Sequence, residues 1–405
     1  MREDKSTIIL LAAPYPFRCM LAICSDLDET ESPEVFFNTM EFLNTTRQTK
    51  FGYGVGLETG NSMYFYMSDD QFAYWNTDDA NRARVRTLMQ SGHIDCFHSF
   101  GDLANKRSEV EATLNHLDFH GCNMRTWIDH AVAPSNFGGD IMGGLGDVMS
   151  SEIYHADITL AFGVEYVWIG RVTSMHGQDA PISFSGIWSA TTPAKSIETL
   201  CKEVAKVAVG RLGSQKYSFH TDNRLIRAAS LRDGQHVTEF MRSNPHPDGV
   251  SAGDNSHGLG RALSSTFLDN LSDRQGKAIV YTHLGKKIDR KQGFGRGTRA
   301  AIEKLSDRQR QGQVLVTTTT RLLDFTKMLQ MANWITRQVD DICEISVDFE
   351  GTTQQIAGLA FEVDPSIRYS LVVDGKSVNT VRYKNGSNGR DVISIPWHRL
   401  DYPSC

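Results

Sequence analysis

Apolar positions along the chain follow helical and strand-like spacings in turn, and this pattern predicts the secondary structure. The apolar run ending at Ser25 predicts a buried strand, and Pro33–Gln48 has helical spacing with Ser32 as N-cap. A strand is predicted at 53–58, and helix-then-strand units follow it. These units are 78–90 with 93–98, 104–119 with 125–130, 151–162 with 166–170, 262–274 with 278–283 and 299–311 with 314–318.

Helix-then-strand units with short glycine-containing links indicate parallel strands and right-handed crossovers. A count of about seven units favours a closed (β/α) barrel over a doubly wound sheet, with an open sheet as the alternative. The region 170–260 departs from this alternation and is interpreted as an insertion, with a helix near 195–208 and a hairpin over 223–237 that turns near Asp233.

The last part of the chain has a different pattern. Beyond a predicted helix at 321–338, short alternating strands are expected at 343–349, 355–361, 369–373 and 391–395, with a hairpin turn at Asp374-Gly375. We therefore expect an α/β barrel domain over residues 1–340 and a small β-sandwich-like domain over 341–405.

Composition narrows the class of protein. The 405 residues are 40% hydrophobic and 22% charged with a formal charge of −6, which is typical of a globular chain that buries a full core. The chain carries no basic stripe, which argues against a nucleic-acid partner. Seven cysteines without a Cys-x-x-Cys pair indicate scattered thiols in a reducing compartment.

The N-terminal apolar run is short. Ile8–Ala13 is followed by Pro14 and Pro16, so the run does not reach the roughly 18 residues of a membrane span. It is also followed too closely by the strand ending at Ser25 to be a signal peptide with its own cleavage site. We expect no membrane span and a cytoplasmic location.

Polar residues cluster where predicted strands end. Asp26 and Asp28 follow the first strand, and other strands end in His98-Ser-Phe-Gly-Asp102, Asp129-His130 and His283. Because the carboxyl ends of parallel strands meet on one face of a barrel, these groups are expected to form one pocket. Carboxylates and imidazoles in one pocket predict a metal-dependent hydrolase.

These motifs resemble those of the polysaccharide deacetylases with a NodB-homology domain, carbohydrate esterase family 4. Ser25-Asp-Leu-Asp28 resembles the family's first motif, Thr-Phe-Asp-Asp-Gly, and His98-Ser-Phe-Gly-Asp102 resembles its His-(Ser/Thr)-x-x-His motif. Thr282-His283 resembles its Leu-x-His motif. Arg125 is a weaker match to the third-motif arginine, and Trp168 to a hydrophobic wall residue of the fourth.

The resemblance implies a distorted (β/α) barrel, a divalent metal and an N-acetylated sugar as substrate. It implies that Asp28, His98 and Asp102 bind the metal, commonly zinc. It further implies that Asp26 is the base that activates water and that His283 protonates the leaving amine. Arg125, Trp168, His130 and Asn136 are candidates for contacts with the carbohydrate substrate.

Two departures from the family pattern affect these roles. Leu27 separates the two aspartates, which therefore point the same way on a straight strand, so both can reach the ion. Asp102 replaces the family's second histidine, and the resulting oxygen-rich set also admits manganese, iron or magnesium.

Other interpretations remain open. Asp26 and Asp28 also fit a pair that stabilises the N-terminus of the next helix, His98 and Asp102 fit a hydrogen-bonded turn, and His283 fits a buried core histidine. The functional alternatives are a glycosidase that uses a carboxylate pair and a non-catalytic carbohydrate-binding relative.

Overall fold

The computed structural model describes residues 8–140, 142–351, 355–384, 386 and 389–403. Residues 1–7 of the first predicted domain and residues 404–405 of the second lie outside the described residues. The helices are α1 (Pro33–Asn44), α2 (Asp79–Gln90), α3 (Arg107–Phe119), α4 (Ala156–Phe162), α5 (Pro193–Arg211), α6 (Ser218–Asp222), α7 (Val250–Gly253), α8 (Leu259–Ala262), α9 (Ser265–Asp273), α10 (Arg296–Arg310) and α11 (Thr319–Met331). Short 3-10 helices cover Ser185–Ile187 and Gln215–Tyr217.

Strands occur throughout the chain and dominate its last part. They are β1 (Ile9–Leu10), β2 (Cys19–Ser25), β3 (Gln48–Thr49), β4 (Gly52–Tyr53), β5 (Gly60–Met63), β6 (Cys96–His98), β7 (Thr126–Ile128), β8 (Tyr166–Trp168), β9 (Val172–Thr173), β10 (Ile226–Ser230), β11 (His236–Phe240), β12 (Arg242–Ser243), β13 (Lys277–Thr282), β14 (Val314–Val316), β15 (Ala332–Val339), β16 (Ile342–Phe349), β17 (Ala360–Val363), β18 (Arg368–Val373), β19 (Lys376–Ser377), β20 (Val381–Tyr383) and β21 (Asp391–Ser394).

The fold is mixed α/β and is built on one curled sheet. Its ten-strand path runs β10-β11-β8-β7-β6-β5-β2-β13-β12-β9, and β14 pairs with β2 beside this path. Neighbours along the path are parallel except in the β10–β11 hairpin, which is antiparallel. The predicted helix-then-strand units with parallel strands are therefore confirmed.

The start of the first helix follows the local sequence. Ser32 accepts a hydrogen bond at its side chain from the amide of Val35 at 3.3 Å, and Pro33 occupies the first helical position. The helix ends at Asn44, earlier than predicted, and Gln48 instead begins a short hairpin. The strand predicted at 53–58 is wrong, because the sheet strand after α1 is β5.

The region predicted as an insertion contributes to the curled sheet. Its strands β9, β11 and β12 pair with one another or with β8 and β13. The hairpin predicted near Asp233 is confirmed, with Ile226 paired to Phe240 and Ser230 to His236. Helix α5 and the loops around it lie outside the sheet.

Two further four-stranded sheets contain the C-terminal strands. One has the order β15-β16-β18-β19 and the other β1-β17-β21-β20, so the N-terminal strand joins the second. The helix predicted to reach residue 338 ends at Met331, because the next eight residues pair along their whole length with β16. The hairpin turn at Asp374-Gly375 is confirmed by the antiparallel pairing of β18 with β19.

Alternate residues of the central strand β2 face different parts of the core. Cys19, Leu21 and Ile23 belong to a cluster with apolar residues of α1, α9 and α10. Met20, Ala22 and Cys24 belong to another, with residues of β6, β7, β8 and β13. Because strand side chains alternate, the even-numbered residues of β2 face the concave side of the curled sheet.

Candidate metal and catalytic centre

The candidate site lies where the parallel strands end on the concave side of the sheet. Side chains two residues beyond a buried inward-facing residue point the same way. Asp26 therefore points the same way as Cys24, His98 as Cys96, and His130 as Ile128. The three inward-facing residues Cys24, Cys96 and Ile128 belong to one buried cluster. By the same alternation, Tyr281 in β13 and His283, the residue after β13, point the same way as Ile279.

Asp28 lies at the centre of the group. Its Oδ1 is 2.8 Å from His130 Nε2, and its Oδ2 is 2.6 Å from His283 Nε2. The hydroxyl of Tyr64 also donates to Oδ1. Burial opposes the charge of Asp28, but hydrogen bonds from His130 and His283 lower the pKa of this carboxyl below its ordinary value.

Two sets of side chains bring ligand atoms within 4.8 Å of one another. One is Asp28, His98 and His130, and the other is Asp26, Asp28 and His283. One carboxylate and two imidazoles are a common donor set for zinc, and also for iron.

His98 has the properties of a neutral ligand. It is 2% exposed, and burial lowers its pKa to about 3, so the imidazole is uncharged at neutral pH. Its Nδ1 is buried without a hydrogen-bond partner among the described residues. The ring stacks on Tyr64 with centroids 4.5 Å apart. One ring nitrogen of His98 lies within 4.8 Å of the donor atoms of Asp28 and His130, and a neutral imidazole in such a set fits a bound divalent ion.

Asp26 is held by a buried arginine. Arg242 Nη2 donates to both carboxylate oxygens, at 2.9 and 2.8 Å, and Ser62 Oγ donates to Oδ1 at 2.9 Å. The guanidinium lies over the rings of Trp168 and Tyr281, at 4.5 and 4.4 Å from their centroids. Burial opposes ionisation of Asp26, yet Arg242 lowers the pKa of this carboxyl below its ordinary value.

Asp102 lies behind His130 and outside both metal-ligand sets. Its Oδ1 is 2.9 Å from His130 Nδ1, and its side chain is 48% exposed. His130, predicted as a substrate contact, instead lies between Asp28 and Asp102. Although burial disfavours the imidazolium, hydrogen bonds to Asp102 and Asp28 raise the pKa of His130 to about 10. Both ring nitrogens therefore carry protons in the absence of a cation. Where a cation replaces the proton on Nε2, the hydrogen bond from Nδ1 to Asp102 orients the ring and fixes the tautomer in which Nε2 is the ligand atom.

His283 presents one nitrogen to the site. Its Nδ1 donates to the backbone carbonyl of Asp254, and its Nε2 faces Asp28 and the hydroxyl of Tyr281, the latter at 3.2 Å. Burial opposes protonation, but the carboxylate of Asp28 raises the pKa of His283 above its ordinary value. The geometry places an exchangeable proton on Nε2, directed at the centre of the site.

These groups line a cavity of about 410 Å³. Trp168 forms part of its wall, and its indole nitrogen donates to the carbonyl of Arg171 at 2.7 Å. The lining includes Asp26, Asp28, Glu29, Gln71, His98, Asp129, His130, Ala131, Met142, Trp168, Asp254, Tyr281, His283 and Lys286. The cavity thus combines titratable groups with one aromatic wall.

No family model, curated protein or solved structure matches this chain. The geometry of its own side chains therefore carries the functional argument. Among the described residues, none of the helices has the length and apolar character needed to cross a membrane.

Two predicted substrate contacts have other partners. Arg125 precedes β7, at the opposite end of that strand from His130, and its guanidinium pairs with Glu165 at 2.5 Å and Asp324 at 2.8 Å. Asn136 is buried, and its amide group connects the ends of the loop that follows His130. It donates to the carbonyls of His130 and Met142 and accepts from the amide of His130.

Arg242, Tyr64 and Ser62 were not predicted from the sequence. Arg242 lies just beyond β11, and His98 is the last residue of β6. The hairpin strand predicted from the sequence ended at Val237, so no predicted strand reached this arginine. Tyr64 and Ser62 belong to β5 and its end, and Asn61-Ser62 lacks the apolar character that indicates a buried strand. An extended strand pattern through Met241 was the only signal for Arg242.

Proposed function

We propose that the protein is a metal-dependent hydrolase that deacetylates an N-acetylated glycan or a surface-polysaccharide precursor. One observation carries this proposal: the carboxylate of Asp26 and the imidazole of His283 each lie beside a member of the metal-ligand set formed by Asp28, His98 and His130. A base and an acid beside a metal site are the groups that amide hydrolysis requires.

The strand pairing is compatible with a distorted (β/α) barrel. Strands β8 and β9 follow each other closely in the chain, and so do β11 and β12. β8 pairs with β11, and β9 pairs with β12. If β8–β9 and β11–β12 each count as one bent strand, the sheet closes into a barrel, because β12 also pairs with β13. The barrel strands are then β2, β5, β6, β7, β8–β9, β11–β12 and β13.

The C-terminal sheets are compatible with a small β-sandwich. Ile345 and Leu371 of one sheet and Phe361 and Ile393 of the other belong to the same buried cluster. The rings of Trp334 and Phe361 also meet across the sheets, with centroids 5.4 Å apart. Two sheets that share a core in this way are the basic arrangement of a sandwich.

The resemblance to polysaccharide deacetylases supports the assignment with one change of residue. In the family pattern a second histidine follows the first by four residues, and here that position is Asp102. His130, from the next strand, supplies the second imidazole in its place, and Asp102 contacts its far nitrogen. With two imidazoles and one carboxylate, zinc is the first candidate, followed by iron and manganese, and magnesium fits less well.

The residues divide the chemistry of amide hydrolysis among them. A divalent metal held by these donors lowers the pKa of water and polarises an amide carbonyl. Asp26, kept as a carboxylate by Arg242, accepts the proton that the attacking water loses. His283 donates its Nε2 proton to the amine nitrogen as the carbon–nitrogen bond breaks, so that acetate and a free amino sugar are released.

A glycosidase is less well supported by the contacts. Both oxygens of Asp26 accept from Arg242, and those of Asp129 accept from Trp127 Nε1 and from the amides of Phe137 and Gly138. Because Arg242 keeps Asp26 ionised, Asp26 does not supply the acid of such a pair, and the donors on both oxygens of Asp129 keep that carboxyl from protonating a glycosidic oxygen.

Acetate release from N-acetylated oligosaccharides, measured together with metal content, tests the proposal. Asp26→Asn and His283→Gln are expected to retain metal and to lower kcat by about 10²- to 10⁴-fold. Asp28→Ala is expected to lose both metal and activity. Asp118→Asn, at an exposed position of α3, is the matched control.

Two outcomes contradict the proposal. One is a metal-loaded protein that releases no acetate from any member of a panel of N-acetylated sugars. The other is the appearance of reducing ends in place of acetate, which indicates a glycosidase.

A further inference from the structure

Helix α5 (Pro193–Arg211) directs its larger apolar side chains away from the rest of the protein. An amphipathic helix of a globular protein ordinarily packs its apolar stripe against the core. The buried positions of α5 are instead Ser196, Glu203, Val207 and Gly210, and only Val207 among them has a sizeable apolar side chain. The apolar stripe of this helix is therefore not used by the fold.

The inner face of α5 is fixed to the rest of the chain by polar and close backbone contacts. Lys206 Nζ donates to Glu203 at 2.7 Å and to the backbone carbonyl of Val172 at 2.9 Å. Gly210 lies so close to Tyr217 that an added Cβ would be 2.4 Å from its carbonyl oxygen. These contacts set the rotation of the helix about its axis, so the outer face is presented to solvent in one orientation.

The outer face carries a continuous row of apolar residues. Their spacing, mostly three and four residues, keeps the side chains within an arc of about 100° around the helix axis. Ile197 is 54% exposed, and Leu212, the residue after the helix, is 87% exposed. One exposed apolar side chain is ordinary, but a row of them along about five helical turns marks an interaction surface. We call this row the α5 stripe, and its exposed members are Ala194, Ile197, Cys201, Val204, Ala205, Ala208 and Leu212.

Cations border the α5 stripe on both sides. Arg211 follows Val204 by seven residues and lies along one edge, whereas Lys195 and Lys202 lie beyond the other edge. Glu198, at that second edge, accepts from Lys195 and Lys202 at 2.9 and 2.6 Å. The border thus holds three cations and one carboxylate, although the whole chain has a formal charge of −6.

This local positive charge favours an anionic membrane surface over another protein segment. Two α5 stripes that pack against each other bring like net charges together, which opposes a dimer. Met1–Thr7, the longest segment outside the described residues, is polar and charged, so its composition does not suit an apolar face. A helix that lies in the plane of a membrane buries its apolar face at the acyl boundary and keeps its cations near the lipid phosphates.

We propose that the α5 stripe docks the protein onto a membrane surface that carries anionic phospholipid headgroups. Ile197, Val204 and Leu212 enter the boundary between headgroups and acyl chains, and Lys202 and Arg211 contact the phosphates. The helix lies along the surface and does not cross it. The proposal does not rest on the hydrolysis proposed above, and its test needs no substrate.

Sedimentation of the full-length protein with sucrose-loaded vesicles, over a range of lipid concentrations, tests this proposal. The vesicles contain phosphatidylcholine alone or equal parts of phosphatidylcholine and phosphatidylglycerol. We expect binding to the mixed vesicles that weakens as salt is added, and about tenfold weaker binding to phosphatidylcholine alone. The double variant Ile197→Ser/Leu212→Ser is expected to bind the mixed vesicles about tenfold more weakly. Lys202→Gln and Arg211→Gln are each expected to weaken binding by about fivefold.

Phe119→Ser and Lys376→Gln are the matched controls, because they remove an exposed apolar side chain from α3 and an exposed cation from β19. Both are expected to bind as the wild type does. Since every substituted side chain is exposed, all variants are expected to fold, which circular dichroism checks. No binding to mixed vesicles, equal binding to both kinds of vesicle, or unchanged binding in Ile197→Ser/Leu212→Ser overturns the proposal. A lipid-free dimer that this double variant dissociates also overturns it, because the partner is then a second copy.

Discussion

Arg242 Nη2 donates to both carboxylate oxygens of Asp26, and the two side chains are 0% and 2% exposed. The partners are 216 residues apart in the chain. They meet because β2 and β12 both flank β13, with their ends on the same side of the sheet. The charge and orientation of the proposed base therefore depend on an arginine from the region that the sequence pattern leaves irregular.

Removal of this arginine is expected to destabilise the fold. Arg242→Met leaves a buried carboxylate without its partner, and the free energy of unfolding is expected to fall by about 3–5 kcal/mol. Urea denaturation of Arg242→Met, Asp26→Asn and the double variant measures the coupling. The double variant is expected to be more stable than the sum of the single effects predicts, and simple additivity contradicts a direct pair.

Metal affinity separates the roles of His130 and Asp102. His130→Ala removes a proposed ligand and is expected to abolish stoichiometric binding of zinc. Asp102→Ala removes only the group that orients His130, and its affinity is expected to fall by about 10- to 100-fold. Competition with a chromogenic chelator measures both. A larger loss of zinc affinity in Asp102→Ala than in His130→Ala indicates that Asp102 is the metal ligand, as the motif resemblance implies.

Asn136 is expected to act on the metal site through the loop after His130. Asn136→Ala removes its hydrogen bonds to that loop and is expected to cost about 1–3 kcal/mol of stability and to weaken zinc binding. Asn44→Ala is the control, since this buried amide also bonds to backbone atoms, at Met40 and Thr59, but lies outside the cavity. A KM increase without loss of metal supports the substrate-contact role instead.

Stability is expected to fall on acidification because of buried neutral histidines. Burial lowers the pKa of His155 from 6.5 to about 4, so between these pH values the unfolded chain binds a proton that the native protein does not. This difference removes about 3 kcal/mol of stability between pH 7 and pH 4. His155→Gln is expected to reduce the dependence of unfolding free energy on pH over this interval, measured by urea denaturation. An unchanged slope contradicts the assignment.

Much of the fold is predictable from local patterns. The helix starting at Pro33 has its cap and its first-position proline in the sequence, and the parallel strands follow from helix-then-strand units with glycine links. Strand β5 was missed, because Gly60-Asn61-Ser62 lacks apolar side chains although all four strand residues are buried. The end of α11 was also missed, since the pairing of β15 with β16 outweighs local helical spacing.

The sequence by itself determined that Asp26, Asp28, His98, His130 and His283 follow strand ends, since the alternation of apolar residues places each on the inward face. Only the tertiary structure decided which of them share a centre. His130 lies beside Asp28 while Asp102 lies behind it, and Arg242 neutralises Asp26. The reason is physical: strand period sets the direction of a side chain locally, whereas distances between side chains from different strands depend on the order and curvature of the sheet.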